Sequence, residues 1–110
     1  MTRRWLIVPA LAISLTTFAL LAQERAAAQD RAEQGRRMFM EQGCYGCHTV
    51  GKMGTPIGPD LSYVGAKRSE ASLRAWLRDP AKQRPSAHMP RLELTESQIA
   101  SLAAFLGSLQ

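Results

Sequence analysis

The chain has 110 residues, 45% of them hydrophobic and 21% charged, with a formal net charge of +5. That length accommodates one small domain. The modest positive balance, with no long basic run and no nucleic-acid motif, points to acidic protein partners rather than nucleic acid.

Met1-Thr2-Arg3-Arg4 is a short basic segment, and Trp5 to Ala22 is an apolar run softened by Ser14, Thr16 and Thr17. Ala26-Ala27-Ala28 then places small residues where a signal peptidase reads them. Residues 1–28 are therefore expected to be a signal peptide cleaved before Gln29, leaving 29–110 as the domain. The same apolar run is near the lower limit for a membrane span, so an uncleaved N-terminal anchor is the rival expectation. Arg3 and Arg4 place the N-terminus in the cytoplasm in either case. Without Arg3, Arg4, Glu24 and Arg25 the net charge falls to +3.

Asp30 reads as the N-cap of a helix ending near Met40, and Glu33 three residues on completes a capping-box-like pair. Gly35, Met38 and Phe39 share one face of that helix, and Gly35 would let another helix approach closely. Gln42-Gly43 ends it. Met38 and Met40 read as ordinary core or surface residues.

Cys44-Tyr45-Gly46-Cys47-His48 follows, the attachment signature of c-type haem. Residues three apart on a helical turn face the same side, so Cys44 and Cys47 can each add across a vinyl group of one porphyrin. His48, one residue further round, can offer a nitrogen to iron. Three other readings of the pair compete. A redox dithiol expects a strand–helix–strand context, which the chain does not show. A zinc site of Cys44, Cys47 and His88 lacks a fourth ligand, because His48 sits too close to Cys47 to close a tetrahedron. A disulfide between the two would close a tiny loop and constrain little. Haem attachment needs both thiols exposed on an unfolded chain outside the cytoplasm. The general secretory route therefore suits this chain better than the twin-arginine route at which Arg3-Arg4 hints.

From Gly51 to Gly65, glycines and prolines recur, giving a loop with turns and no regular element. Ser69 is a suitable N-cap for a helix through Arg78, ended by Asp79-Pro80, with Leu73, Trp76 and Leu77 as its apolar face. Ala81 to Leu94 is a second loop, stiffened by Pro85 and Pro90. Thr95-Glu96-Ser97-Gln98 is a capping box opening a last helix to about Leu106, with Gly107 as the expected C-cap. Ile99, Leu102, Ala103 and Leu106 form its stripe, flanked by Phe105.

CYGCH, then IGPDL, RAWLRDP, HMP and LTESQIASLAAFL, in this order and spacing, resemble the class I (monohaem) bacterial cytochromes c over Asp30 to Gln110. Only CYGCH is strongly specific alone. The resemblance implies an all-α, small cytochrome c fold of three to four helices around one covalent haem, with the first helix crossing the last. A domain this small needs such a staple. It implies that the Pro59 carbonyl accepts a hydrogen bond from the second nitrogen of His48, fixing the tautomer and making the imidazole a better donor. It implies that Trp76 packs on the haem, sometimes with its indole N–H on a propionate, and that Tyr63 reaches a propionate or merely packs. Met89 in the HMP triplet matches the sixth ligand, with adjacent His88 as runner-up and a water-bound or open position as the third choice. A neutral thioether favours ferrous iron and raises the potential relative to a second histidine.

With His48 and Met89 both on iron, no position is left for substrate, and the expected role is one-electron transfer rather than enzyme catalysis. The expected partners are redox proteins: a quinol–cytochrome c reductase, a terminal oxidase or a periplasmic dehydrogenase. The expected location is the periplasm, or the outer face of the cytoplasmic membrane if the leader is retained, and the expected state is a monomer. Lys52, Lys82, Arg84 and Arg91 either ring the haem edge and steer an acidic partner or belong to a scattered solvated surface. Two further readings stay open. One is a tethered or complex-bound subunit of an oxidase or dehydrogenase. The other is a haem enzyme or gas sensor, which would need an open sixth position.

Overall fold

A computed structural model describes residues 7–110. The readings of Met1–Arg4 and of Trp5 fall outside the described residues. The first element, α1, is one continuous helix, Ile7–Glu41. Asp30 is therefore not an N-cap but an exposed mid-helix residue. The reason lies upstream: Gln23 to Ala28 is a run of glutamine, glutamate, arginine and alanines. These are among the strongest helix formers, and they carry the helix through the position where a cap was expected. Glu33 pairs instead with Arg36 and Arg37, at 2.8 and 3.4 Å.

The two halves of α1 have different surroundings. Ile13, Leu15, Phe18, Leu20 and Leu21 are all exposed. Gly35 and Phe39 are buried, and the C-terminal half of α1 packs on the last helix. This extended first half accounts for the elongated shape, 74 × 30 × 23 Å. Among the described residues, no helix is long and apolar enough to cross a membrane.

After α1 come a 3-10 turn, Cys44–Gly46, and a minimal hairpin of β1, Thr49–Val50, and β2, Met53–Gly54. The strands are antiparallel, with Thr49 opposite Gly54 and Val50 opposite Met53. Three helices follow: α2, Val64–Lys67; α3, Glu70–Arg78; and α4, Pro80–Gln83. The last is α5, Glu96–Ser108. The fold is mostly helical, as expected, but the hairpin, α2 and α4 are additions to what the sequence suggested.

Ser69 caps α3, its hydroxyl accepting from the Ser72 amide, and Thr95 with Gln98 forms the full capping box of α5. Asp79 ends α3 and also caps α4, accepting from the Lys82 amide with Pro80 at the first helical position. Gly107 is not a C-cap. It lies inside α5, and its backbone is met closely by Gly65, where a Cβ would sit 2.2 Å from the Gly107 carbonyl oxygen. The Gly65 amide then donates to the Leu109 carbonyl at 2.7 Å, fastening α2 to the end of α5.

The core is built on α5, whose residues from Ile99 to Leu106 are buried apart from Ala100. A helix apolar nearly all round is an interior helix. Leu73 and Leu77 of α3 and Phe39 of α1 complete the cluster. The closest approach is at Gly35, where a Cβ would lie 1.9 Å from the Ser101 carbonyl oxygen and 2.7 Å from the Phe105 Cβ. One face of the crossing is thus backbone against backbone.

Gly35→Ala measures this constraint. A helix interior favours alanine by about 1 kcal/mol, whereas overpacking a tight contact costs about 1–3 kcal/mol or more. The clash is with a carbonyl fixed in α5, so the cost wins. The denaturant midpoint of the haem-loaded protein should fall; an unchanged or higher midpoint would show that the two helices can part without penalty.

Candidate haem site

Gly43 adopts a left-handed conformation, φ 75°, which lets the chain leave α1 and enter the 3-10 turn. The Cys44 carbonyl then accepts from both the Cys47 amide at 3.2 Å and the His48 amide at 2.9 Å. This doubled acceptor winds Cys44, Cys47 and His48 into one turn. Tyr45 anchors the turn, its ring edge-on to Phe39 at 4.7 Å. Both cysteines are free thiols, Cys44 half-buried against the core and Cys47 exposed. Burial pushes the Cys44 thiol above its usual range, so it stays protonated at neutral pH.

The imidazole of His48 is held from two directions. Its Nδ1 lies 2.8 Å from the Pro59 carbonyl oxygen. A carbonyl can only accept, so Nδ1 carries a proton, and in the neutral imidazole the lone pair is then on Nε2. Gly58 lies against the ring: a Cβ there would meet Cε1 at 2.8 Å and Nδ1 at 3.0 Å. The Gly58 amide donates to the Cys47 carbonyl at 2.5 Å, and the Thr55 amide to the His48 carbonyl at 3.3 Å.

Pro59 is fixed in turn by its neighbour. Asp60 Oδ1 accepts from the Ser62 hydroxyl at 2.7 Å, the Ser62 amide at 3.0 Å and the Thr49 hydroxyl at 3.1 Å. The Gly51 amide donates to the Ser62 hydroxyl at 2.7 Å. The Ser62 hydroxyl, then its amide, hold the Asp60 carboxyl below the usual carboxylate range. Neither Gly58 nor Asp60 was singled out from the sequence. The available signal was the Asp-x-Ser spacing, which favours a side-chain turn onto the amide two residues on.

Trp76 and Met89 form the other part of the site. The indole Nε1–H of Trp76 donates to the Met89 sulfur at 3.2 Å. The guanidinium carbon of Arg84 lies over the Trp76 ring, 5.7 Å from its centroid. Met89 is half-buried and packs against the core, whereas His88 beside it is exposed. Of the residues proposed as a steering patch, Lys52, Lys82, Arg84 and Arg91 are all exposed. Tyr63 is largely exposed as well.

The competing readings of the cysteine pair find no support in this geometry. Among the described residues no three His, Cys, Asp or Glu side chains gather to hold a metal ion, so Cys44, Cys47 and His88 do not converge. The strands are two residues long and belong to a hairpin, not to a strand–helix–strand unit. The residues present do suit a covalent haem. Two free thiols share one turn, the Pro59 carbonyl engages Nδ1 and leaves Nε2 as the imidazole's other nitrogen, and Ile57, next to Gly58, is 75% exposed and offers apolar surface to cover.

A helical fold with a Cys-x-x-Cys-His turn mounted on its aromatic core defines a haem-binding electron-transfer protein. The profile of the Cytochrome c family matches residues 32–110. The chain belongs to the Cytochrome c family, in which haem c is attached covalently through the cysteine pair, here Cys44 and Cys47. It is also similar to the cytochrome c oxidase subunit 2 of Alkalihalophilus pseudofirmus, 35% identical over 88 residues. That stretch is 72% of this chain but 26% of the relative, so the chain spans about a quarter of the oxidase subunit's length.

The Asp60 network gives a pH prediction. Its native pKa is depressed, so its stabilisation is present in full above the ordinary carboxylate range and is lost as pH falls through the native value. Asp60→Asn keeps an acceptor but removes the charge. The variant should be less stable than the parent at neutral pH, and the gap should narrow progressively as pH falls below about 3.9, the ordinary aspartate value. Denaturation midpoints of the loaded protein measured across that range check this; a gap independent of pH would overturn it.

Proposed function

We propose that the chain is a one-electron carrier in which His48 Nε2 and the Met89 sulfur are the two axial ligands of the haem. The observation that carries this reading is the hydrogen bond between His48 Nδ1 and the Pro59 carbonyl at 2.8 Å. It selects the tautomer that can bind iron and aligns the ring before the metal is present. Met89 is preferred to His88 because it is the half-buried member of the adjacent pair and its sulfur is oriented by Trp76. When bound, the haem supplies the ferric–ferrous couple. The chain's own residues orient the imidazole, hold the thioether and shield both from water. Two strong protein ligands leave no position for substrate, which supports a carrier rather than an enzyme or gas sensor.

The reading extends to place and partners. The domain works outside the cytoplasmic membrane, where haem attachment and an oxidising environment coincide. It exchanges electrons with redox proteins such as a terminal oxidase, a quinol–cytochrome c reductase or a periplasmic dehydrogenase. Two observations favour a second arrangement, in which the same domain is tethered or fixed in a complex. The exposed apolar half of α1 is continuous with the domain, and the domain is similar to part of an oxidase subunit. Fractionation of cells with N-terminal sequencing of the haem-stained protein distinguishes them. A soluble species beginning at Gln29 supports the free carrier, and a membrane-bound species retaining Trp5 to Ala22 supports the tether.

Met89→Ala tests the ligand set. The parent should show a weak sulfur–iron band at the red edge of the ferric spectrum and should not bind carbon monoxide in the ferrous form. The variant should lose the band, bind carbon monoxide and drop in potential by more than about 59 mV, a tenfold shift for one electron. Axial exchange moves haem potentials over about 0.8 V in all, so a fall of this size is well within range. His88→Ala should leave all three observables unchanged; loss of the native spectrum in that variant instead would assign the ligand to His88.

A further inference from the structure

The resemblance implies that Trp76 packs on the haem, sometimes with its indole N–H on a propionate. In the structure that N–H donates to the Met89 sulfur at 3.2 Å. We propose that Trp76 is a positioning residue for the sixth ligand, its N–H fixing and polarising the Met89 sulfur, with the Arg84 guanidinium over the ring strengthening that donor. This rests on the reading of Met89 as ligand.

A thioether sulfur has two lone pairs. One can serve iron while the other accepts a hydrogen bond, and a sulfur that accepts an N–H is a poorer electron donor to the metal. Ferric iron demands more from its ligands than ferrous iron, so the N–H penalises the ferric form more and raises the potential. Arg84 acts one step back. A cation over an indole face is attracted to the ring and draws its density, making the N–H a stronger donor. Among the described residues Arg84 has no carboxylate partner to neutralise it, unlike Arg36, Arg37, Arg74 and Arg78. Its backbone is also pinned. The Arg84 amide donates to the Pro80 carbonyl at 2.9 Å, and its carbonyl accepts from the Ala87 amide at 2.9 Å.

The N–H also supplies something the loop lacks. From Pro85 to Leu94 the chain has no regular structure. A methionine there has three rotatable bonds and no intrinsic preference for one sulfur position. Trp76 comes from α3, a helix whose Leu73 and Leu77 are buried in the core, so it is a fixed point from which to set the sulfur.

The test uses the haem-loaded protein and three readouts: the sulfur–iron band, the midpoint potential, and the Trp76 indole N–H resonance in the ferrous state. Trp76→Phe should keep the band, though weakened or moved. It should shift the ferric–ferrous equilibrium toward ferric by about threefold to tenfold, at most about 59 mV. A ring-fluorinated tryptophan, which keeps the packing and makes the N–H more acidic, should move the potential the opposite way. Trp5 is the only other tryptophan and precedes the domain, so the label reports on Trp76. Arg84→Gln should lower the potential in the parent by more than it does in the Trp76→Phe background, a non-additivity that a simple loss of surface charge would not give.

Absence of the sulfur–iron band in the parent would overturn the ligand reading itself. A band present with a potential that neither Trp76→Phe nor fluorination moves would overturn this inference alone. So would a Trp76→Phe effect confined to the pH dependence of the potential, which would return the N–H to a propionate.

Discussion

The contact on which everything else hangs is the crossing of α1 and α5 at Gly35, where a missing side chain lets the first helix rest on the Ser101 carbonyl. One turn on, Phe39 is buried by that approach and packs at a tilt against Phe105, with ring centres 5.5 Å apart. Phe39 in turn carries Tyr45 edge-on. Tyr45 is the middle of the 3-10 turn, so the orientation of both cysteines is transmitted from a helix crossing through three aromatic rings. Moving the helices apart by the width of a methyl group would disturb the turn before it disturbed any cysteine directly. That is how a glycine nine residues before Cys44 and thirteen before His48 in sequence bears on the geometry of the turn.

Polar contacts at the surface are subordinate to this. The pair of hydrogen bonds between Arg78 and Glu96, at 2.8 and 2.7 Å, ties the end of α3 to the start of α5. Both groups are exposed, and solvent screening leaves such pairs a small contribution. A single buried leucine of the α3–α5 contact is worth about 1.5–3 kcal/mol in transfer alone. The ion pair therefore sets the register of a contact that burial makes stable.

How much was legible in advance depended on the range of the interaction. The Ser69 cap and the Thr95–Gln98 capping box were readable, because each is closed within four residues by groups that have few alternatives. CYGCH was readable for the same reason. The Asp30 cap failed because a cap competes with continuation of the helix, and an alanine-rich neighbour decided the outcome. Gly107 failed because a glycine near a helix end has two uses, and here close approach by Gly65 replaced termination. The hairpin and α2 are too short to leave a periodic pattern. The Asp60 network was partly visible as a local turn, but its bonds to Thr49 and Gly51 join segments that only the fold brings together. The pairing of Trp76 with Met89 spans thirteen residues and left no local trace at all.

The two proposed axial ligands are held in physically different ways. His48 is supported by contacts of short sequence range: the Cys44 carbonyl at its amide, Pro59 at Nδ1, Gly58 against the ring and Thr55 at its carbonyl. Removing any one leaves the others. Met89 stands on a stretch whose backbone bonds, Ala87 to Arg84 and Leu94 to Leu92, are local to the loop and do not tie it to the core. Its tertiary restraints are packing against the core and the one hydrogen bond from Trp76. Local openings draw on segments with few such restraints. The Met89 side of the site is therefore the compliant one, where small changes in a single donor are felt at the sulfur. The His48 side is the rigid one, and it fixes the frame against which such changes act.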